Sequence, residues 1–147
     1  MGLFDSLFGG MEGASKLTPQ ESFAGVLLGA SACDGHIADD EVQSLVTALT
    51  RMKLYQRYTD RDYNKTLNKL HGFLKKHGVE ALVNACVATL PAELNNTAFT
   101  NACDIVLADG VVEPDEKAFI DMLRAKLNID GDTARMIAEV MVVKNKG

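Results

Sequence analysis

The residues whose types and spacing could do chemistry are acids, and they come in two matching blocks. Asp34-Gly35-His36-Ile37-Ala38-Asp39-Asp40-Glu41 lies over Asp109-Gly110-Val111-Val112-Glu113-Pro114-Asp115-Glu116, an offset of 75 residues from Asp34 to Asp109. The Asp, Gly, Asp and Glu positions are identical, and the apolar register continues outside the blocks, where Ala32 faces Leu107 and Leu45 faces Ile120. Of the 20 Asp and Glu in the chain, eight lie in these blocks, which contain no Lys or Arg. The remaining 12 acids face 15 Lys and Arg, a remainder of +3, so the net charge of −5 has a local origin. Hard divalent cations bind such oxygen clusters, Ca²⁺ with 6–8 oxygens and Mg²⁺ with fewer plus water. Asp34, Glu41, Asp109 and Glu116 are the expected principal ligands or orienters, with Asp40, Asp115, Asp39 and Glu113 in support; Ca²⁺, Mg²⁺ or Mn²⁺ would suit them.

A second account competes for the same residues. Asp40, Glu41, Asp115 and Glu116 fall in the first turns of helices, where negative charge interacts favourably with the dipole, and the two glutamates occupy the capping-box position. Capping explains Asp34 and Asp109 less well, because each ends a helix, where the dipole disfavours it; an Asx-turn or a bound cation would offset that. Neither block is an EF-hand: counting from Asp34 or Asp109, position 12 is Leu45 or Ile120, not the bidentate Glu that loop requires. Asn128, Asp130, Asp132 and Glu139 have partial EF-hand spacing but lack the glycine at the sixth position, and read as a helix cap at Asp132.

The elements that must position these acids are helices. Thr18-Pro19-Gln20-Glu21 is a capping box with proline at the first helical position, followed by Phe23, Val26, Leu27 and Ala30 at helical spacing. A second helix starts near Ala38 or Asp39, with Val42, Leu45, Val46, Leu49 and Met52 on one face. A third runs from Thr59 or Asp60 to Lys76, with Tyr63, Leu67, Leu70 and Leu74 inward, and ends at Gly78. A fourth, marked by Val79, Leu82, Val83 and Cys86, stops before Pro91. Residues 92–108 form one or two more. Pro114 opens another, and the last carries Met136, Ile137, Val140 and Met141 inward. No stretch alternates with period two for long. The expectation is an all-α, compact bundle of about seven helices over residues 16–147, with an internal pseudo-repeat of two helix–loop–helix halves.

Composition agrees with one globular domain: 147 residues, 47% hydrophobic and 24% charged. The acidic balance disfavours generic nucleic-acid binding, and no apolar run reaches the length of a membrane span. Cys33, Cys86 and Cys103 are odd in number and far apart, which fits reduced core residues of a cytoplasmic protein. Residues 1–15 stand apart as a tail with Leu3, Phe4, Leu7 and Phe8 at helical spacing: a frayed end, a docking helix or a membrane-surface contact. Residues 51–77 are basic. Arg57, Arg61, Lys65 and Lys69 recur every four residues and line one helix face, either solvated or docking anionic lipid or an acidic partner. His36, His71 and His77 have no Ser or Cys at catalytic spacing, and the expectation is a chain that is not an enzyme.

At its two Asp-Gly loops the sequence resembles the tellurite-resistance TerB family. The carrying residues are Ala32-Cys33-Asp34-Gly35 through Asp40-Glu41 and Leu107-Ala108-Asp109-Gly110 through Asp115-Glu116, within a likeness spanning roughly residues 18 to 130. The short Met-Gly-Leu-Phe-Asp start is similar as well. The resemblance implies a helical domain with a clustered acidic surface proposed to bind divalent metal in a bacterial cytoplasmic stress response. It also implies association with a membrane-embedded TerC-type partner. It puts the family's loop aspartates on Asp34 and Asp109 and its helix-start glutamates on Glu41 and Glu116. His36 has no imidazole counterpart at Val111, and Ala38 stands where many such loops carry a capping residue.

Overall fold

Thr18 has extended backbone, and its hydroxyl accepts from Glu21 N–H (3.0 Å) while Glu21 accepts from Thr18 N–H (2.9 Å). This reciprocal cap starts α1, Pro19–Ala32, in a computed structural model that describes residues 17–33, 37–108 and 110–147. The 1–15 tail and the loop residues Asp34, Gly35, His36 and Asp109 lie outside the described residues.

The described chain forms an all-α bundle of seven α-helices, and no strand occurs among the described residues. After α1 come α2 (Asp39–Thr50), α3 (Asp60–His77), α4 (Val79–Thr89), α5 (Asn95–Val106), α6 (Pro114–Lys126) and α7 (Gly131–Lys144). Short 3₁₀ turns at Lys53–Tyr55 and Ala92–Leu94 link α2 to α3 and α4 to α5. Gly78, at φ 91°, separates α3 from α4 in a conformation that glycine adopts without strain.

α1 is the centre. A helix that is hydrophobic all round must be buried all round, and Phe23, Ala24, Val26, Leu27 and Leu28 are each at most 1% exposed. α2 to α6 all pack against it, and α7 stacks on α5. The closest approach is to α4. A Cβ on Gly25 would collide with Cys86 Sγ, and one on Gly29 would lie 3.0 Å from Val83 Cγ2. The two glycines, one turn apart, therefore set the α1–α4 spacing. The Ser22 and Thr89 hydroxyls hydrogen-bond across the same interface at 2.6 Å.

A tyrosine cluster fixes the α2–α3 connection to the start of α1. Tyr55 packs edge-on against Phe23 and Tyr58 and stacks with Tyr63, ring centroids 5.2–6.4 Å apart. Its hydroxyl donates to Gln20 O at 2.6 Å. Burial, reinforced by Tyr58 and Tyr63, pushes this phenol well above its ordinary pKa.

Three sequence expectations are corrected. The last helix is capped by Asp130, whose Oδ2 accepts from Thr133 N–H at 3.1 Å, and Asp132 falls in its first turn. Asn128 takes the left-handed conformation (φ 55°) that ends α6 and turns Asp130 into the capping position. Met136 and Val140, expected inward, are 59% and 54% exposed, because α7 has a neighbour on one side and rests on it through Ala134, Ile137 and Met141. In α3 the buried residues are Tyr63, Thr66, Leu70 and Phe73, with Leu67 and Leu74 half-buried at the edge of the stripe.

The glycines give a paired test. Gly25→Ala should lower stability by about 1–3 kcal/mol in urea unfolding, since overpacking outweighs the roughly 1 kcal/mol helix-propensity gain. Gly72→Ala, on α3 with nothing within 4 Å of the added methyl, should raise it by about 0.5–1 kcal/mol.

Candidate functional site

The two acidic blocks enter their helices in the same way. Ala38 has extended backbone ahead of α2 and its N–H donates to Glu41 Oε1 at 3.3 Å. Glu113 has extended backbone ahead of α6 and its N–H donates to Glu116 Oε1 at 2.9 Å. Ala38 has no side-chain oxygen, so at α2 the returning half of the capping box carries the cap. Gly110 is left-handed (φ 77°), as a tight turn between α5 and α6 requires.

These helix ends meet. A cavity of about 210 Å³ is lined by Ser31 and Cys33 from the end of α1, Glu41 from α2, Ile105 and Ala108 from the end of α5, and Glu116 from α6. Glu41 and Glu116, 75 residues apart in the chain, thus share one cavity, and no Lys or Arg lines it. Asp34 and Asp109 follow directly on Cys33 and Ala108 in the chain and are themselves outside the described residues. Each glutamate commits Oε1 to its cap, and a carboxylate has a second oxygen and further lone pairs to offer. Oxygen donors of this kind fit a hard divalent cation. Among the described residues no group of three or more His, Cys, Asp or Glu is spaced to hold a metal ion.

The supporting acids divide. Asp40 lines an adjoining groove of about 360 Å³ between α2 and the α5–α7 pair, which shares Ser31, Glu41, Ile105 and Ala108 with the smaller cavity. Asp39, Glu113 and Asp115 are exposed and line neither space. The groove's far wall has no signature in the order of residues. There Lys144 Nζ lies 3.1 Å from Asp104 Oδ1, and Asn145 Nδ2 donates to the same oxygen at 2.8 Å. A lysine therefore lines the same groove as the acidic start of α2, brought in from the last helix. Its spacing of 40 residues from Asp104 carries no periodic signal.

The basic residues are also divided. Arg57, Arg61 and Lys65 are exposed, whereas Lys69 is tied to Glu21 at 3.1 Å with 22% of its side chain accessible. Lys69 therefore anchors α3 to the first turn of α1. His77 packs its ring on Phe73 (centroids 4.7 Å). Among the described residues no helix is long and apolar enough to cross a membrane.

No disulfide joins the three cysteines among the described residues. Cys33 lines the small cavity and donates to Ala30 O at 3.2 Å. Cys86 and Cys103 are buried; burial, with Asp104 adding, pushes the Cys103 thiol up to about 11. Thiol titration of the native protein at neutral pH should therefore count one reactive cysteine, lost in Cys33→Ser, with the other two appearing only in denaturant. The chain matches no family model, no curated protein and no solved structure.

Proposed function

We propose that this chain is a TerB-like, non-enzymatic domain that binds a divalent cation between its two acidic helix–loop–helix halves. In this reading the halves are pseudo-equivalent, with Asp34 and Asp109 in corresponding loops and Glu41 and Glu116 at corresponding helix starts. These four carboxylates hold or orient the ion, while Asp40, Asp115, Asp39 and Glu113 raise the local negative potential. Ion occupancy presents a surface to partners, a membrane-embedded TerC-type protein among them, in a cytoplasmic bacterial stress response such as tellurite resistance. The single observation that carries the reading is the shared cavity: Glu41 and Glu116 line it together, beside the residues that lead into both Asp-Gly loops. Repulsion among carboxylates gathered there would be relieved by a cation.

The capping account makes a different prediction, because a glutamine at the capping-box position still accepts the N-cap N–H. Glu41→Gln/Glu116→Gln should keep thermal stability in chelator-treated protein within about 0.5 kcal/mol of wild type, the range of a neutral surface change. The same variant should lose cation affinity.

Calorimetry with Ca²⁺, Mg²⁺, Mn²⁺ and Zn²⁺ is the direct test. Wild type should bind at least one with a sub-millimolar Kd, and Asp34→Asn/Asp109→Asn should weaken it at least tenfold, about 1.4 kcal/mol. At 100 times Kd the ion should stabilise the fold by about 2.7 kcal/mol, a shift in melting temperature reversed by chelator. Binding no tighter than millimolar for all four ions would overturn the proposal and leave the carboxylates as helix caps.

A further inference from the structure

α7 packs inward through Ala134, Ile137 and Met141, and its opposite side is apolar too. Four of the five large exposed hydrophobic side chains among the described residues lie on this one helix: Met136, Val140, Val142 and Val143. Met136, Val140 and Val143 follow the i, i+4, i+7 spacing that sets side chains in one row along a helix. Val143, at 73%, is the most exposed of them. A surface helix needs one apolar stripe to face its core, so a second one facing water marks a surface made for contact.

One edge of this row is charged in a particular order. Asp132, Glu139 and Lys146 recur every seven residues, Lys146 just past the helix end, and all three are exposed. None enters an ion pair among the described residues, in contrast to Lys144, which is tied to Asp104. Charges at seven-residue spacing beside an apolar row of alternating four- and three-residue steps form the edge pattern of a helix that pairs with another helix. The mixed signs suit neither a polyanion nor a polycation. They suit their own reverse.

We propose that the outer face of α7 pairs with the same face of a second copy of this chain, the two helices antiparallel about a two-fold axis. In that orientation Lys146 meets an acid of the second copy, Asp132 or Glu139 according to register, and symmetry makes the contact twice. A parallel pair would set Asp132, Glu139 and Lys146 each beside its own kind. The antiparallel contact is isologous, so it closes at two copies and covers the apolar row on both. Its size sets its strength. The 14 residues of α7 span about 21 Å, and one face of them falls well short of the roughly 20–30 residues a side of a standard interface, so the dimer is reversible.

Sedimentation equilibrium of the full chain over a concentration series tests this. The weight-average mass should rise with concentration from 15.9 kDa towards twice that value. Val140→Glu, which sets two carboxylates near the symmetry axis within an apolar row, should weaken the dimer at least about tenfold. Lys146→Glu should weaken it as well. Reversing the whole edge, with Asp132→Lys/Glu139→Lys/Lys146→Glu, should restore it, a recovery that nonspecific apolar association would not show. Circular dichroism should be unchanged in every variant, since the substituted positions are exposed and the Asp130 cap is untouched. The mass of a single chain at all concentrations up to about 1 mM would overturn the proposal. So would a dimer indifferent to Val140→Glu, or a reversed edge that pairs no better than Lys146→Glu. A single chain that binds neutral phosphatidylcholine vesicles, and loses them in Val140→Glu, would also overturn it and assign the face to a lipid surface.

Discussion

The α1–α4 contact governs the rest of the architecture. Two glycines one turn apart let a fully apolar helix approach its neighbour until Cys86 and Val83 fill the space a side chain would take. Interiors pack at crystal-like density, so this spacing propagates. With α4 held close on one side, the remaining circumference of α1 is left for α2, α3, α5 and α6. Each contributes a stripe of Leu, Phe and Tyr to the one core. Burying α1 this completely also demands that its polar atoms be satisfied locally. Ser22 reaches Thr89 and Ser31 donates to Leu27 O, and among the described residues no buried side-chain polar atom lacks a partner.

A central helix has two ends, and here they carry opposite character. At its start, Lys69 from α3 pairs with Glu21 in the first turn. At its finish, α2 and α6 begin with carboxylates beside one cavity. Carboxylates gathered beside one cavity cost stability by self-repulsion unless counter-charge is supplied. Helix dipoles offset part of it at the acidic pole, where Glu41 and Glu116 each accept an N-cap N–H.

Much of this could be read from residue order. The capping box at Thr18, the glycine stop at Gly78 and the prolines before α5 and at the start of α6 act through local backbone chemistry, which is why they marked the helix ends within a residue or two. Glu41 and Glu116 hold matching positions in the duplicated acidic block, and both line the small cavity. The misjudged features depend on tertiary partners. Met136 and Val140 have the spacing of a buried stripe, and their exposure follows from α7 resting on α5 through a different set, Ala134, Ile137 and Met141, which no local pattern encodes. The cap of α7 moved from Asp132 to Asp130 because Asn128 turns left-handed, a choice open to asparagine but not dictated by it. The tyrosine cluster and the Lys144–Asp104 pair join residues whose separations follow neither helical period nor repeat.

The thin attachment of α7 has a kinetic consequence. One face of this helix touches α5, Ala134 is its one buried residue, and its last turn is moored by Lys144 and Asn145 to a single aspartate. Stability is not uniform across a fold, and elements with few buried apolar contacts open in sub-global steps well below the global unfolding free energy. With one buried residue, α7 is placed by this criterion among the helices that open by such sub-global steps. Each such opening withdraws Lys144 from the wall it shares with Asp40 and Glu41, so the negative potential around the helix starts fluctuates with the breathing of the final helix.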